Sequence, residues 1–121
     1  MDTRTKILSA AEARRIPPPV VAAIGYFDVL RAEHVRELTA LRAEGPLLAI
    51  VLPLEGELLP QRARAELVAA LEAADYVAAA DAGEAEALVE ALKPIRVAHL
   101  EAEDARRARQ LIEHVQQRQT L

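Results

Sequence analysis

The residues of this chain best placed to do chemistry lie in one stretch, Gly25-Tyr26-Phe27-Asp28-Val29-Leu30-Arg31-Ala32-Glu33-His34. A glycine, a carboxylate, a guanidinium and an imidazole fall there between an apolar run and a helix-period segment. Backbone amides at a helix start favour an anion, so the stretch has the layout of a phosphate-binding strand-to-helix loop. Arg31 and His34 would add cationic or hydrogen-bonding groups, whereas Glu33 brings negative charge to the same place. The same residues also fit a plain strand-to-helix turn with Phe27 and Leu30 in the core, and residue types alone leave both readings open.

Other constellations carry less. His34, His99 and His114 are too scattered for a metal-ligand signature, and zero cysteines exclude thiolate sites, so no metal site is expected. Ser9, the sole serine, has no local His/Asp arrangement. Glu101 and Glu103 read as an exposed approach to a last helix. Arg106, Arg107 and Arg109 read as a solvated helix face rather than the rim of a phosphate site.

The elements that must position the loop follow from the pattern of apolar residues. Val20 to Gly25 is apolar throughout, as a strand covered on both faces should be. Val35, Leu38 and Leu41 give one stripe on a helix over 33–44, which Gly45-Pro46 ends. Strands are predicted at 47–52, 76–80 and 96–100. Helices are predicted at 61–73, with Leu67, Val68 and Leu71 inward, and at 84–92, with Leu88, Val89 and Leu92 inward. Ser9-Ala10-Ala11-Glu12 has capping-box spacing for a short helix stopped by Pro17-Pro18-Pro19. Asp104 is predicted to cap a closing helix with Ala108, Leu111, Ile112 and Val115 inward. Pro53 to Pro60 is a short irregular connection.

This alternation predicts an α/β fold, a Rossmann-like three-layer α/β/α arrangement around a parallel sheet, with the ligand outside the carboxyl ends of the strands. At 121 residues the chain is read as one domain, 1–121, which should bury roughly two thirds of its unfolded surface. The 26 alanines favour helix but bury little area each, so Leu, Val and Ile must carry the core. A net charge of −4 and three aromatics argue against nucleic acid as a partner. No apolar run reaches the roughly 18 residues of a membrane span. The expectation is a soluble cytoplasmic protein with no membrane partner.

The loop Gly25 to His34 resembles the signature Gly-x-Phe-Asp-x-x-His-x-Gly-His of the cytidylyltransferase-like nucleotidyltransferases. The resemblance continues through Arg64-Ala65-Glu66-Leu67-Val68-Ala69-Ala70-Leu71 and Ala74-Asp75-Tyr76-Val77, similar to the family's second block, and Ala91-Leu92-Lys93-Pro94, similar to its third. Order and spacing are most similar to the adenylyltransferase domain of bifunctional ADP-heptose synthases and to glycerol-3-phosphate cytidylyltransferases. It implies in-line attack by a substrate phosphate on the α-phosphorus of ATP or CTP, with pyrophosphate leaving and Mg²⁺ assisting. It also implies Gly25, Tyr26, Phe27, Asp28 and Arg64 as nucleotide-binding residues, His34 and Arg31 as catalytic ones, and a homodimer.

The departures from the pattern concern the chemistry itself. Arg31 stands where the signature has its first His, and Glu33 where it has Gly. A guanidinium is longer than an imidazole and aims differently. A carboxylate about 4 Å from a phosphate repels it by roughly 1 kcal/mol in water and by several in a partly buried site. After the last strand, His99-Leu100-Glu101-Ala102 replaces the Lys-Gly pair and glycine-rich loop of heptose adenylyltransferases. The sequence therefore predicts a nucleotidyltransferase-fold protein with a degraded motif, impaired or inactive in catalysis, and beside it a nucleotide-binding module that keeps ligand without turnover. The alternative is an active enzyme moving AMP or CMP to a sugar or polyol phosphate.

Overall fold

The computed structural model describes residues 2–102. The helix expected from Asp104, with Ala108, Leu111, Ile112 and Val115, therefore lies outside the described residues, as do Glu103, Arg106, Arg107, Arg109 and His114.

In chain order the elements are β1 (Ile7–Leu8), α1 (Ala10–Ala13), β2 (Val21–Gly25), α2 (Ala32–Arg42), β3 (Leu47–Val51), α3 (Gln61–Ala69), β4 (Tyr76–Ala79), α4 (Ala82–Leu92) and β5 (Arg96–His99), after a 3₁₀ turn at Thr3–Lys6. All pairings are parallel, in the order β1-β4-β3-β2-β5. The chain steps outward from β2 to β3 to β4, then crosses back to place β5 on the other side of β2. This reversal makes the carboxyl ends of β2 and β5 the switch point where such sheets bind ligands.

The strands form because their side chains are apolar on both faces, and the two faces pack on different helices. Val21, Ala23, Leu47, Ala49, Val51 and Val77 share one core with Leu38 and Leu41 of α2 and Ala65, Val68 and Ala69 of α3. Ile24, Leu48, Ile50 and Ala78 share the other with Ala13 of α1 and with Ala85 and Leu88 of α4. The three-layer α/β/α arrangement is thus present, and at the predicted strands the boundaries differ from expectation by one residue.

Several expectations need correction. β1 is an additional edge strand, too short at two residues to show any periodicity. The buried stripe of α2 is His34, Leu38 and Leu41, so Val35 turns outward at 39% exposure. In α3 the buried residues are Arg64, Ala65, Val68 and Ala69, which leaves Leu67 45% exposed. That helix also ends at Ala69, so the partly buried Leu71 packs from the turn beyond it. The short helix α1 starts at its Ser9/Glu12 capping box as expected, but it ends at Ala13, ahead of the prolines.

Candidate functional site at the carboxyl ends of β2 and β5

The loop from Gly25 to Arg31 leaves β2 at the switch point, and the structure shows why each residue type is required there. Gly25 lies against the ring of Phe27, and a Cβ added to it would stand 3.0 Å from two ring carbons. Phe27 adopts a left-handed backbone (φ 51°) that turns its ring back under the loop, where it is fully buried. The glycine is thus needed for close packing of the aromatic ring. Leu52 donates its amide to the Gly25 carbonyl at 2.9 Å, so the sheet ladder runs up to the loop.

His34 lies in the first turn of α2 and is only 2% exposed. Its Nδ1 accepts a hydrogen bond from the Arg31 amide at 3.1 Å, and its ring stands tilted against Phe27 with centroids 6.0 Å apart. An amide donor facing Nδ1 requires a lone pair there, which puts the neutral ring's proton on Nε2. Arg31 is the N-cap and is exposed. A guanidinium has no acceptor, so this capping arrangement is one-sided and no side-chain oxygen caps α2. Glu33 sits in the first turn beside it, where the helix dipole favours an acid.

The loop is tied to its neighbour by two charged side chains. The Asp28 carboxylate accepts from the amides of Leu58 and Leu59 at 3.0 and 3.4 Å. Arg64, fully buried on α3, donates to the carbonyls of Tyr26 at 2.6 Å, Leu52 at 2.8 Å and Leu59 at 3.0 Å, and pairs with Glu57 at 2.5 Å. Gln61 joins the ends of β3 and β4 through the carbonyls of Val51 and Ala80. The structure therefore brings Gly25, Tyr26, Phe27, Asp28 and Arg64 together as the scaffold of the loop, with Arg31 and His34 at the adjoining helix start.

The other two blocks of the motif lie elsewhere. Asp75 is at the amino edge, accepting from the Leu47 amide at 2.8 Å and from Arg42 at 2.6 Å. Lys93 caps α4 at its carboxyl end, ahead of β5. Cavities of about 360 Å³ beside Arg14 and Glu84 and about 370 Å³ beside Arg42 and Glu72 also lie away from the loop.

Sequence reasoning did not anticipate three participants. Glu57 and Gln61 lie in or next to a connection read as irregular. His99 was set aside as scattered, yet it ends β5 in register with Ile24, one residue before Gly25. Its Nδ1 is 2.9 Å from Glu101 Oε1, while Glu101 Oε2 is buried without a hydrogen-bond partner among the described residues. Only the strand order, which spacing along the chain does not disclose, brings His99 to the switch point.

No family model matches the chain. Over 80 residues it is 42% identical to the Bifunctional protein HldE of Rhodopseudomonas palustris (strain BisA53), covering 58% of this chain and 16% of that protein. Over 64 residues it is 47% identical to the Bifunctional protein HldE of Bradyrhizobium sp. (strain ORS 278), covering 45% and 13%. The matched part thus spans less than a fifth of these curated relatives. Among solved structures, the lipopolysaccharide core biosynthesis protein from Thermoplasma volcanium GSS1 shares the fold, with a TM-score of 0.60 at 22% identity over 65% of this chain and 71% of that one. The likeness in sequence to part of the HldE proteins supports a cytidylyltransferase-like relationship, and the likeness to the solved structure shows the fold.

Proposed function

We propose that this chain is a nucleotidyltransferase-like protein impaired in nucleotidyl transfer, which keeps a place for nucleotide polyphosphate at the start of α2. The observation that carries the reading is the state of His34. It is the single motif histidine retained, and it is buried with Nδ1 engaged by the Arg31 amide. Transfer chemistry depends on donors aimed at charge developing on the phosphates, and a group held 2% exposed is poorly placed to meet it. Arg31, exposed at the N-cap, is the side chain left to hold phosphate as a charge rather than as a shaped donor.

Mg²⁺ enters with the nucleotide in this reading. No group of three or more His, Cys, Asp or Glu side chains converges among the described residues, and the Asp28 carboxylate already receives two amides. The ion would therefore be held mainly by phosphate oxygens and water, as Mg²⁺ commonly is.

A second reading, active transfer of AMP or CMP from ATP or CTP to a sugar or polyol phosphate, is favoured by the exposure of Arg31 beside the helix start. Pyrophosphate release separates the two. With ATP or CTP, Mg²⁺ and a panel of sugar and polyol phosphates, release is expected to stay at the no-protein rate. Release that requires an acceptor and disappears in His34→Ala would establish the active reading instead.

A further inference from the structure

Arg64 and Glu57 form an ion pair whose halves are mounted in opposite ways. The guanidinium is fully buried, and three of its five N–H bonds are fixed on the carbonyls of Tyr26, Leu52 and Leu59. The Tyr26 and Leu52 carbonyls follow β2 and β3 and the Leu59 carbonyl ends the connection 53–60; together they take Nε–H and both Nη1 N–H bonds, so Nη2 is left to face Glu57. Glu57 Oε2 meets that nitrogen at 2.5 Å from a side chain 35% exposed. Its neighbour Gly56 has φ 72° and nothing within 4 Å of an added Cβ, so the chain beside Glu57 is unpacked.

A cation that the fold holds rigidly is thus neutralised by an anion on an open loop. Carboxylate and phosphate oxygens alike accept charge-assisted hydrogen bonds from a guanidinium N–H. We propose that Glu57 is an internal surrogate for an oxyanion ligand. Its carboxylate occupies the Nη2 of Arg64 at which a phosphate-class anion binds once the Glu57 side chain swings aside, so the carboxyl edge carries an autoinhibited oxyanion site. The inference rests on the reading of this edge as a polyphosphate site and extends it to a side chain that the loop now covers.

Inorganic pyrophosphate is the probe, titrated calorimetrically into the wild-type chain, Glu57→Gln and Glu57→Ala, with the ¹⁵Nε resonance of Arg64 followed in parallel. Removing the surrogate should tighten pyrophosphate binding by roughly tenfold or more in Glu57→Ala, the scale of one charge-assisted contact. Glu57→Gln, which leaves a neutral acceptor on the guanidinium, should fall between it and the wild type. Binding to Glu57→Ala should shift the Arg64 resonance. The proposal is overturned if Glu57→Ala binds no tighter than wild type, if it binds without moving that resonance, or if it fails to fold even with saturating pyrophosphate. Wild-type chain that ignores ATP and CTP while Glu57→Ala gains pyrophosphate would remove the nucleotide reading and leave the oxyanion site standing. Wild-type chain that binds nucleotide while Glu57→Ala gains nothing would do the reverse.

Discussion

Each helix of this parallel sheet begins at its carboxyl edge, and the starts of α4 and α2 differ. At α4, Asp81 accepts from the Glu84 amide at 2.7 Å and Glu84 accepts from the Asp81 amide at 3.1 Å, a reciprocal box of two acids. At α2 the cap is Arg31, which can offer its backbone to His34 but no side-chain oxygen to the helix. Both starts carry the positive end of a helix dipole. One is closed by its own carboxylates, which would repel an added anion. The other, with Glu33 in its first turn, has no carboxylate cap, presents a cation and lies at the switch point. Of these two starts only that of α2 is open to phosphate, and an open start must be held in place by something other than a cap.

That something is Arg64, and removing it should have the largest effect. Arg64→Ala strips partners from three carbonyls and from Glu57, with an expected loss of about 3 kcal/mol in urea-induced unfolding. Gly25→Ala should follow, because its Cβ meets the Phe27 ring at 3.0 Å and overpacking of this kind costs roughly 1–3 kcal/mol. Asp81→Ala, which breaks the closed start of α4, should cost about 1 kcal/mol by the same measurement and leave ligand binding at α2 unchanged.

The smallest expected effect concerns α1, a third start closed by Ser9 and Glu12. The Ser9 amide, and after it the Ser9 hydroxyl, hold the Glu12 carboxyl below its ordinary pKa. A depressed folded-state value means that the contribution is fully present above the unfolded pKa and is lost as pH falls through the folded one. Titration of Glu12 followed by NMR should therefore show its midpoint moving part of the way back up in Ser9→Ala, since the amide remains. The box is fully exposed, so stability at neutral pH should barely register the pH-dependent part.

The comparison also marks what the chain discloses before folding. The Ser9/Glu12 box and the apolar strands 21–25 and 47–51 were legible because their signals are local and periodic. Val35 and Leu67 were misassigned to the core because spacing fixes which residues share a stripe but not which stripe faces the sheet. A fully buried arginine runs against the usual rule for charged residues, and Arg64 satisfies its charge through groups 5, 7, 12 and 38 residues away. No window on the sequence contains that set. The motif loop itself was legible as a loop, whereas the turning of Phe27 beneath it rests on a left-handed backbone at a non-glycine residue, and His34 is buried on the stripe of α2 that also holds Leu38 and Leu41. His99 reaches the site through the strand order alone.

The central claim is that polyphosphate goes to the open start of α2 and is held there without transfer. Its most direct test is calorimetric titration of Mg²⁺-ATP and Mg²⁺-CTP into the wild-type chain, Arg31→Asp and Asp81→Ala. Arg31→Asp should give α2 a carboxylate cap like that of α4, gaining up to about 1 kcal/mol of stability. The expected result is saturable micromolar binding to the wild type and to Asp81→Ala, lost in Arg31→Asp. Silence from the wild type at millimolar nucleotide, or binding that Arg31→Asp leaves intact, would contradict it.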